Sequence, residues 1–225
     1  MVTEADFPMP RAVLFDLDGT LLDSLADIAN AANAVLARWS YPTHETQRYK
    51  QFIGDGVLML FRRALPPGAD EPEQLRQCVA GFEDAYGREW NVRTRLYDGI
   101  PELLDRLQSR GVPMAVLSNK PHAFTRKCVE SYCGRWTFQA VLGERAGVPR
   151  KPDPAGAVGI AEICSGPPSE FLYLGDSLVD MGTALAAGMI PVGAAWGFRP
   201  ARELWDHGAR AVIEHPMDLL QLRFP

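Results

Sequence analysis

Residues Ala12–Phe15 form a short, wholly apolar run that ends abruptly in Asp16, Asp18, Gly19 and Thr20. A strand that is apolar at every position is buried on both faces, as in the parallel sheets of α/β proteins. Alternation along an extended chain aims residues 16 and 18 the same way. In an open α/β sheet, ligands bind beyond the carboxyl ends of the strands, where this pair falls. Two carboxylates held that close repel unless a cation or a shared proton relieves them. The stretch therefore reads as a place for a divalent metal and a proton-transfer group, against the plainer reading of an Asp-Gly turn after a strand.

The rest of the chain extends that strand into a fold. Strand patterns at 112–117, 138–142, 171–174, 190–194 and 211–213 alternate with helical patterns at 102–109, 121–131, 154–164 and 178–187. Strands separated by helices predict a parallel sheet covered on both sides. Between residues 23 and 95 there is no strand pattern; helical stretches at 24–38, 45–49, 57–64 and 71–90 follow one another, broken at Ile53-Gly54-Asp55-Gly56 and at Pro66-Pro67-Gly68. One crossover rarely needs so many helices. The expected architecture is an α/β, doubly wound parallel sheet built from residues 1–22 and 96–225, with an all-helical block at 23–95 inserted into it. Residues 1–10 read as an irregular lead-in.

A net charge of −5 argues against general affinity for nucleic acid, and an anionic substrate would need local positive charge or a metal. Cys78, Cys128, Cys133 and Cys164 lack the paired spacing of a zinc site and read as free thiols. No apolar run has the length of a membrane span, and the N-terminus lacks a charged-then-apolar signal design. A cytoplasmic protein, monomer or homodimer, with no membrane or nucleic-acid partner, is the expectation.

If the strands form one sheet, their carboxyl ends bring four places together. The first strand contributes Asp16 and Asp18, the next Ser118-Asn119, and the run at 171–174 is followed by Gly175-Asp176-Ser177, with Asp180 close behind. Lys151-Pro152-Asp153-Pro154 lies in a loop before a helix. Asp16-Leu17-Asp18-Gly19-Thr20-Leu21 resembles motif I of the haloacid dehalogenase superfamily in its phosphatase form. Ser118, Lys151 and Gly175-Asp176-Ser177-Leu178-Val179-Asp180 resemble motifs II, III and IV, in the family's order. Val179 departs from the polar residue that many relatives carry there. The helical block resembles the cap of the subclass whose cap follows motif I.

The resemblance implies a Rossmann-like core with a helical cap and a Mg²⁺-dependent phosphatase working through an aspartyl-phosphate. Asp16 would be the nucleophile, a form of covalent catalysis open to carboxylates. Asp18 would protonate the leaving alcohol and then take a proton from water. Mg²⁺, a hard ion, would be held by Asp16 and Asp176, with the main-chain carbonyl of Asp18 as a further ligand. Asp180 would support the metal through water or hold Lys151. Lys151 would neutralise the nucleophile and the phosphoryl oxygens. Ser118 and Asn119, with the backbone at Gly19 and Thr20, would bond phosphoryl oxygens. Gly54 and Asp55, in the cap loop, would face the substrate.

The implied substrate is a small phosphorylated metabolite, and the general pattern is most similar to the phosphoglycolate phosphatase group. Nucleoside monophosphates and pyrophosphate stay open as substrates. Dehalogenases and phosphonate-cleaving relatives lack a carboxylate at the position of Asp18. Sugar-phosphate mutases keep both aspartates but usually carry Val or a similar residue where Thr20 stands. A mutase is the rival enzyme, and a non-catalytic phosphate-binding protein on the same fold is the rival of another class. Lys50, Arg62 and Arg63 read as a solvated face, and the four histidines have no assigned task. Trp196-Gly197-Phe198-Arg199 follows a strand end, where it either walls the site or packs; Arg199 has no assigned role.

Overall fold

The computed structural model describes residues 10–222, so the lead-in expected at residues 1–10 lies, but for Pro10, outside the described residues. The chain begins with β1 (Ala12–Phe15), β2 (Leu22–Asp23) and α1 (Leu25–Arg38). A 3₁₀ segment (Thr46–Gln51), α2 (Gly56–Ala64) and α3 (Pro72–Glu89) lead to β3 (Arg95–Leu96) and α4 (Ile100–Ser109). Strict alternation follows: β4 (Met114–Pro121), α5 (His122–Cys133), β5 (Ala140–Glu144), α6 (Ala155–Ile163), β6 (Phe171–Gly175), α7 (Leu178–Ala187), β7 (Ile190–Ala194), α8 (Ala201–Asp206) and β8 (Ala211–Ile213).

Six strands pair in the order β5-β4-β1-β6-β7-β8, every neighbour parallel. The chain steps outward from β1 through β4 to β5, then returns to β1's other side at β6. That reversal of winding is the crevice where open α/β sheets bind ligands. Alternate residues of β1 serve different cores, as the two-residue period demands. Val13 and Phe15 pack with Leu103, Leu104 and Leu107 of α4 and Cys128 and Val129 of α5. Ala12 and Leu14 pack with Ala157 and Ile160 of α6 and Ala184 of α7.

Between β2 and β3 the described chain is helical apart from its loops. Ile28, Ala32, Val35 and Leu36 of α1 and Leu75, Cys78, Phe82 and Tyr86 of α3 are buried together with the sheet's Val13 and Phe15 face. Phe82 stacks on Tyr86 with centroids 5.2 Å apart and planes 8° apart. The block is fastened at its return by Asp27 in the first turn of α1. Its buried carboxylate accepts the N–H groups of Arg93 and Thr94 and the Thr94 hydroxyl at 2.7–3.0 Å.

Beyond shifts of a few residues at element ends, the structure differs from the sequence expectation most at three places. β2 and β3 pair antiparallel, with Leu22 opposite Leu96 and Asp23 opposite Arg95, where no strand was expected. Two-residue strands have no periodicity to read. β4 starts later than expected and runs on to Pro121, with an irregular register between Leu117 and Pro121. The short helix α8, whose N-cap is Pro200, has too few residues for a helical pattern to appear. All four cysteines are free, with Cys78, Cys128 and Cys133 buried. Among the described residues no helix is long and apolar enough to cross a membrane.

Candidate active site

The carboxyl ends of β1, β4 and β6 face one cleft. Its floor carries Asp16, Asp18, Ser118, Asn119, Lys120, Lys151, Asp176 and Ser177. Its other wall comes from the helical block and is mostly apolar, with Ile28, Ile53, Val57, Leu60, Phe82 and Tyr86.

Two ion-pair systems divide the floor. In the first, the Lys151 ammonium donates to Asp16 Oδ1 at 2.8 Å and to Asp180 Oδ1 at 2.7 Å. Asp180 Oδ2 accepts the Ser177 hydroxyl at 2.7 Å and the Ser177 N–H at 3.1 Å, closing a capping box at the start of α7. Asp176 Oδ2 accepts the Phe198 N–H at 2.7 Å, and Asp176 Oδ1 takes a long bond from the Thr20 hydroxyl at 3.4 Å. Carboxylate oxygens of Asp16, Asp176 and Asp180, all buried, lie within 4.8 Å of one another.

Three carboxylates against one ammonium leave this group short of positive charge. Burial, opposed by Lys151 and reinforced by Asp180, raises Asp16 from the ordinary 3.8 to about 7. Asp176 rises well above the usual carboxylate range, chiefly by burial and then by the charges of Asp180 and Asp16. Burial works against the Lys151 charge, but Asp16 and Asp180 outweigh it and hold the amine protonated. A hard, oxygen-loving divalent cation is the partner such a donor set fits. Asp16 and Asp176 have oxygens to offer it, whereas both oxygens of Asp180 are engaged by Lys151 and Ser177.

The second system belongs to Asp18. Both its carboxylate oxygens accept from the Lys120 ammonium, at 3.0 and 2.9 Å, and Oδ1 also accepts the Ser24 hydroxyl at 2.6 Å. The Asp18 side chain is therefore turned away from the acidic group. Lys120 also donates to the Tyr86 hydroxyl at 2.8 Å, and its ammonium lies 4.5 Å from the Tyr86 ring centroid. Sequence reading passed over Lys120. Its signal was the two-residue spacing from Ser118, which along an extended segment points both side chains the same way.

Several expected substrate contacts have other tasks. The Gly19 N–H is bonded to Leu22 O at 2.8 Å and the Thr20 N–H to Leu17 O at 3.4 Å, so neither amide is available to a phosphate. Gly19 instead makes room: at φ +90, a Cβ there would stand 2.3 Å from Asp176 Oδ2. Asn119 is likewise spent. Its Oδ1 accepts the Lys151 N–H at 2.9 Å, and its Nδ2 donates to the carbonyls of Lys151 and Gly54, each at 2.9 Å. It orients the Lys151 backbone and ties the Gly54 loop to the floor. Gly54 lines the cleft, but Asp55 turns to pair with Arg63 and does not. Ser118 lines the cleft, its oxygen accepting the Lys120 N–H at 3.2 Å.

The segment after β7 walls the site. The Trp196 indole N–H donates to Thr20 O at 3.0 Å, and Phe198 is bonded to Asp176 as above. Arg199 reaches across the cleft to the carbonyls of Ile53 and Gln51, at 3.3 and 3.4 Å, and faces Glu203 at 3.7 Å. Arg62 and Arg63 pair with Asp70 and Asp55, away from the cleft lining.

The family described as haloacid dehalogenase-like hydrolase matches residues 10–188, most of the chain. The chain belongs to the haloacid dehalogenase-like hydrolases. Relatives of this hydrolase include "Phosphoglycolate phosphatase 1" of Pseudomonas aeruginosa, 33% identical over 94% of this chain and 79% of that protein. "Phosphoglycolate phosphatase" of Thiobacillus denitrificans is 32% identical over 92% of this chain and 93% of its own length. A crystal structure from Lactobacillus delbrueckii subsp. bulgaricus superposes with a TM-score of 0.88 at 28% identity, covering 95% of this chain and 98% of that one. Together with the family, these relatives make the chain a phosphatase of this hydrolase group.

Proposed function

We propose that this hydrolase cleaves small phosphomonoesters, 2-phosphoglycolate foremost, by transferring the phosphoryl group to Asp16 and then to water. One observation carries the reading. Two aspartates at one strand end face the same cleft but have different partners: Asp16 shares Lys151 with Asp180, and Asp18 is held by Lys120 and Ser24. Such a division suits a nucleophile and an acid–base group placed side by side.

Asp16 attacks phosphorus in line, and Asp18 delivers a proton to the departing alcohol oxygen. Asp18 then accepts a proton from the water that hydrolyses the aspartyl-phosphate. Lys151 lowers the repulsion between the nucleophile and the phosphoryl oxygens. At an effective dielectric of about 20, unit charges about 4 Å apart interact by roughly 4 kcal/mol, enough to matter here. Asp16, Asp176 and the Asp18 carbonyl, with support from Asp180, would hold Mg²⁺, which would supply charge neutralisation on the transferring group. Residues 23–95 serve as the cap over a core of residues 1–22 and 96–225. The cap's apolar wall leaves room for a small leaving group. The substrate name is taken from relatives that this chain matches over 79% and 93% of their own length.

The test is phosphate release with Mg²⁺ from 2-phosphoglycolate, nucleoside monophosphates, hexose phosphates and pyrophosphate, with Asp16→Asn protein as the blank. Release from 2-phosphoglycolate at the highest kcat/KM, absent in the blank, is expected. Undiminished turnover by Asp16→Asn would remove the nucleophile assignment, and preference for another compound would remove the substrate.

A further inference from the structure

We propose that Lys120 binds a carboxylate on the leaving group, and so sets a preference for phosphoesters of short hydroxy acids over neutral phosphoesters. The inference deepens the phosphatase reading and rests on its placement of Asp18 at the leaving oxygen.

The cleft has three cationic side chains, Lys120, Lys151 and Arg199. Lys151 lies at the phosphoryl end, bonded to Asp16 and Asp180. Arg199 is a strap, its guanidinium directed to the carbonyls of Gln51 and Ile53 and to Glu203. Lys120 alone of the three touches Asp18, at 2.9 Å. A group one methylene beyond the ester oxygen therefore falls beside the Lys120 ammonium.

The surroundings suit that role. The Lys120 side chain is 6% exposed, so its charge is poorly screened by water. Tyr86 fixes the ammonium from the helical block by a 2.8 Å bond and by its ring face. The neighbouring walls, Ile28, Val57, Leu60, Phe82 and Phe124, offer a carboxylate no donor. An anionic leaving group thus meets one cation, held beside Asp18 and the Tyr86 hydroxyl and bordered by apolar walls, while a neutral one leaves that cation with Asp18 and Tyr86. The contrast is one of charge and not of fit, because the two kinds of leaving group can have the same size.

A residue that only steadied Asp18 would affect every substrate alike, and this separates the two roles. Steady-state kinetics with Mg²⁺ would compare 2-phosphoglycolate with 2-hydroxyethyl phosphate, its neutral analogue of similar size, for wild type, Lys120→Met and Lys120→Gln. In wild type we expect 2-phosphoglycolate to be favoured. In both variants the ratio of the two kcat/KM values should fall by about ten- to a hundredfold, mainly through KM for 2-phosphoglycolate. The ratio does not depend on how much of a variant is folded. An equal fall for both substrates, or a wild-type ratio near one, overturns the inference.

If wild type hydrolyses neither compound, the phosphatase reading fails on its own. The inference is then judged by calorimetric binding of the same two compounds to Asp16→Asn protein. Tighter binding of 2-phosphoglycolate that disappears on adding Lys120→Met supports it, and equal binding of the two compounds overturns it.

Discussion

Asp16 and Asp18 have the same side chain and lie two residues apart, so any difference in their work must come from neighbours. Asp16 is drawn into a buried acidic group beside Lys151, where burial raises it to about 7. Asp18 is gripped by Lys120 and Ser24 on the helical-block side. If Asp18 protonates the leaving oxygen, Asp18→Asn should lower kcat for an alkyl phosphate by about 10²–10⁴-fold. The loss should be much smaller for p-nitrophenyl phosphate, whose leaving group needs little protonation. Equal losses on the two substrates would falsify the acid role. At this scale the sequence was legible where chemistry-bearing side chains stand at strand ends, as with Asp16, Asp18 and Asp176, and at the Lys151 that bonds Asp16 and Asp180. It was opaque for Asn119, whose three bonds go to Lys151 and Gly54, because partners so distant in sequence are made by the fold. Gly19 and Thr20 misled for a related reason. Their amides look free in a turn, but the turn closes on itself through Leu17 and Leu22.

At the scale of elements, the site depends on segments that lean on one another. Asn119, near the end of β4, fastens both the Lys151 backbone and the loop before α2. Asn119→Ala should cost about 1–3 kcal/mol in urea unfolding, because it leaves buried partners unsatisfied. It should also raise KM by loosening the Gly54 loop; unchanged stability and unchanged KM together would show that the loop is held elsewhere. The loop after β7 is as tightly fitted. A Cβ on Gly197 would stand 2.2 Å from Asp176 Cβ and 2.6 Å from Gly19 O, both parts of the floor. Gly197→Ala should therefore displace Asp176 and weaken Mg²⁺ binding about tenfold or more, read by magnesium titration of activity; wild-type Mg²⁺ dependence would mean the loop yields instead. Strands and long helices were readable because burial on one or two faces imposes a period. The ribbon of β2 and β3 was not, since pairing of Leu22 with Leu96 arises only once the helical block has returned the chain.

For the whole molecule, the decisive quantity is uncompensated charge in a buried place. The protein carries a net charge of −5, and its acidic group sets three carboxylates against one lysine. Asp16 in the folded chain holds its proton up to about 7, against an ordinary 3.8, and Asp176 is raised as well. Between those values the folded state binds more protons than the unfolded state, so stability must fall as pH rises. The stabilising contribution of Asp16 is complete below its ordinary 3.8 and is lost as pH passes about 7, and the raised Asp176 adds a contribution of the same sign. A divalent cation acts in the opposite direction. It competes with those protons, so it binds best where they have left, and it stabilises the folded state by about 2.7 kcal/mol at a hundred times Kd. Metal-free protein should thus lose thermal stability from pH 5 to pH 8, and Mg²⁺ should raise Tm more at pH 8 than at pH 5. Scanning calorimetry at both values, with and without Mg²⁺, checks this. An Asp176→Asn variant should show a shallower pH slope and a smaller Mg²⁺ response. An equal Mg²⁺ shift at the two pH values would mean that the cation binds somewhere other than these carboxylates, because only their protons compete with it over that range.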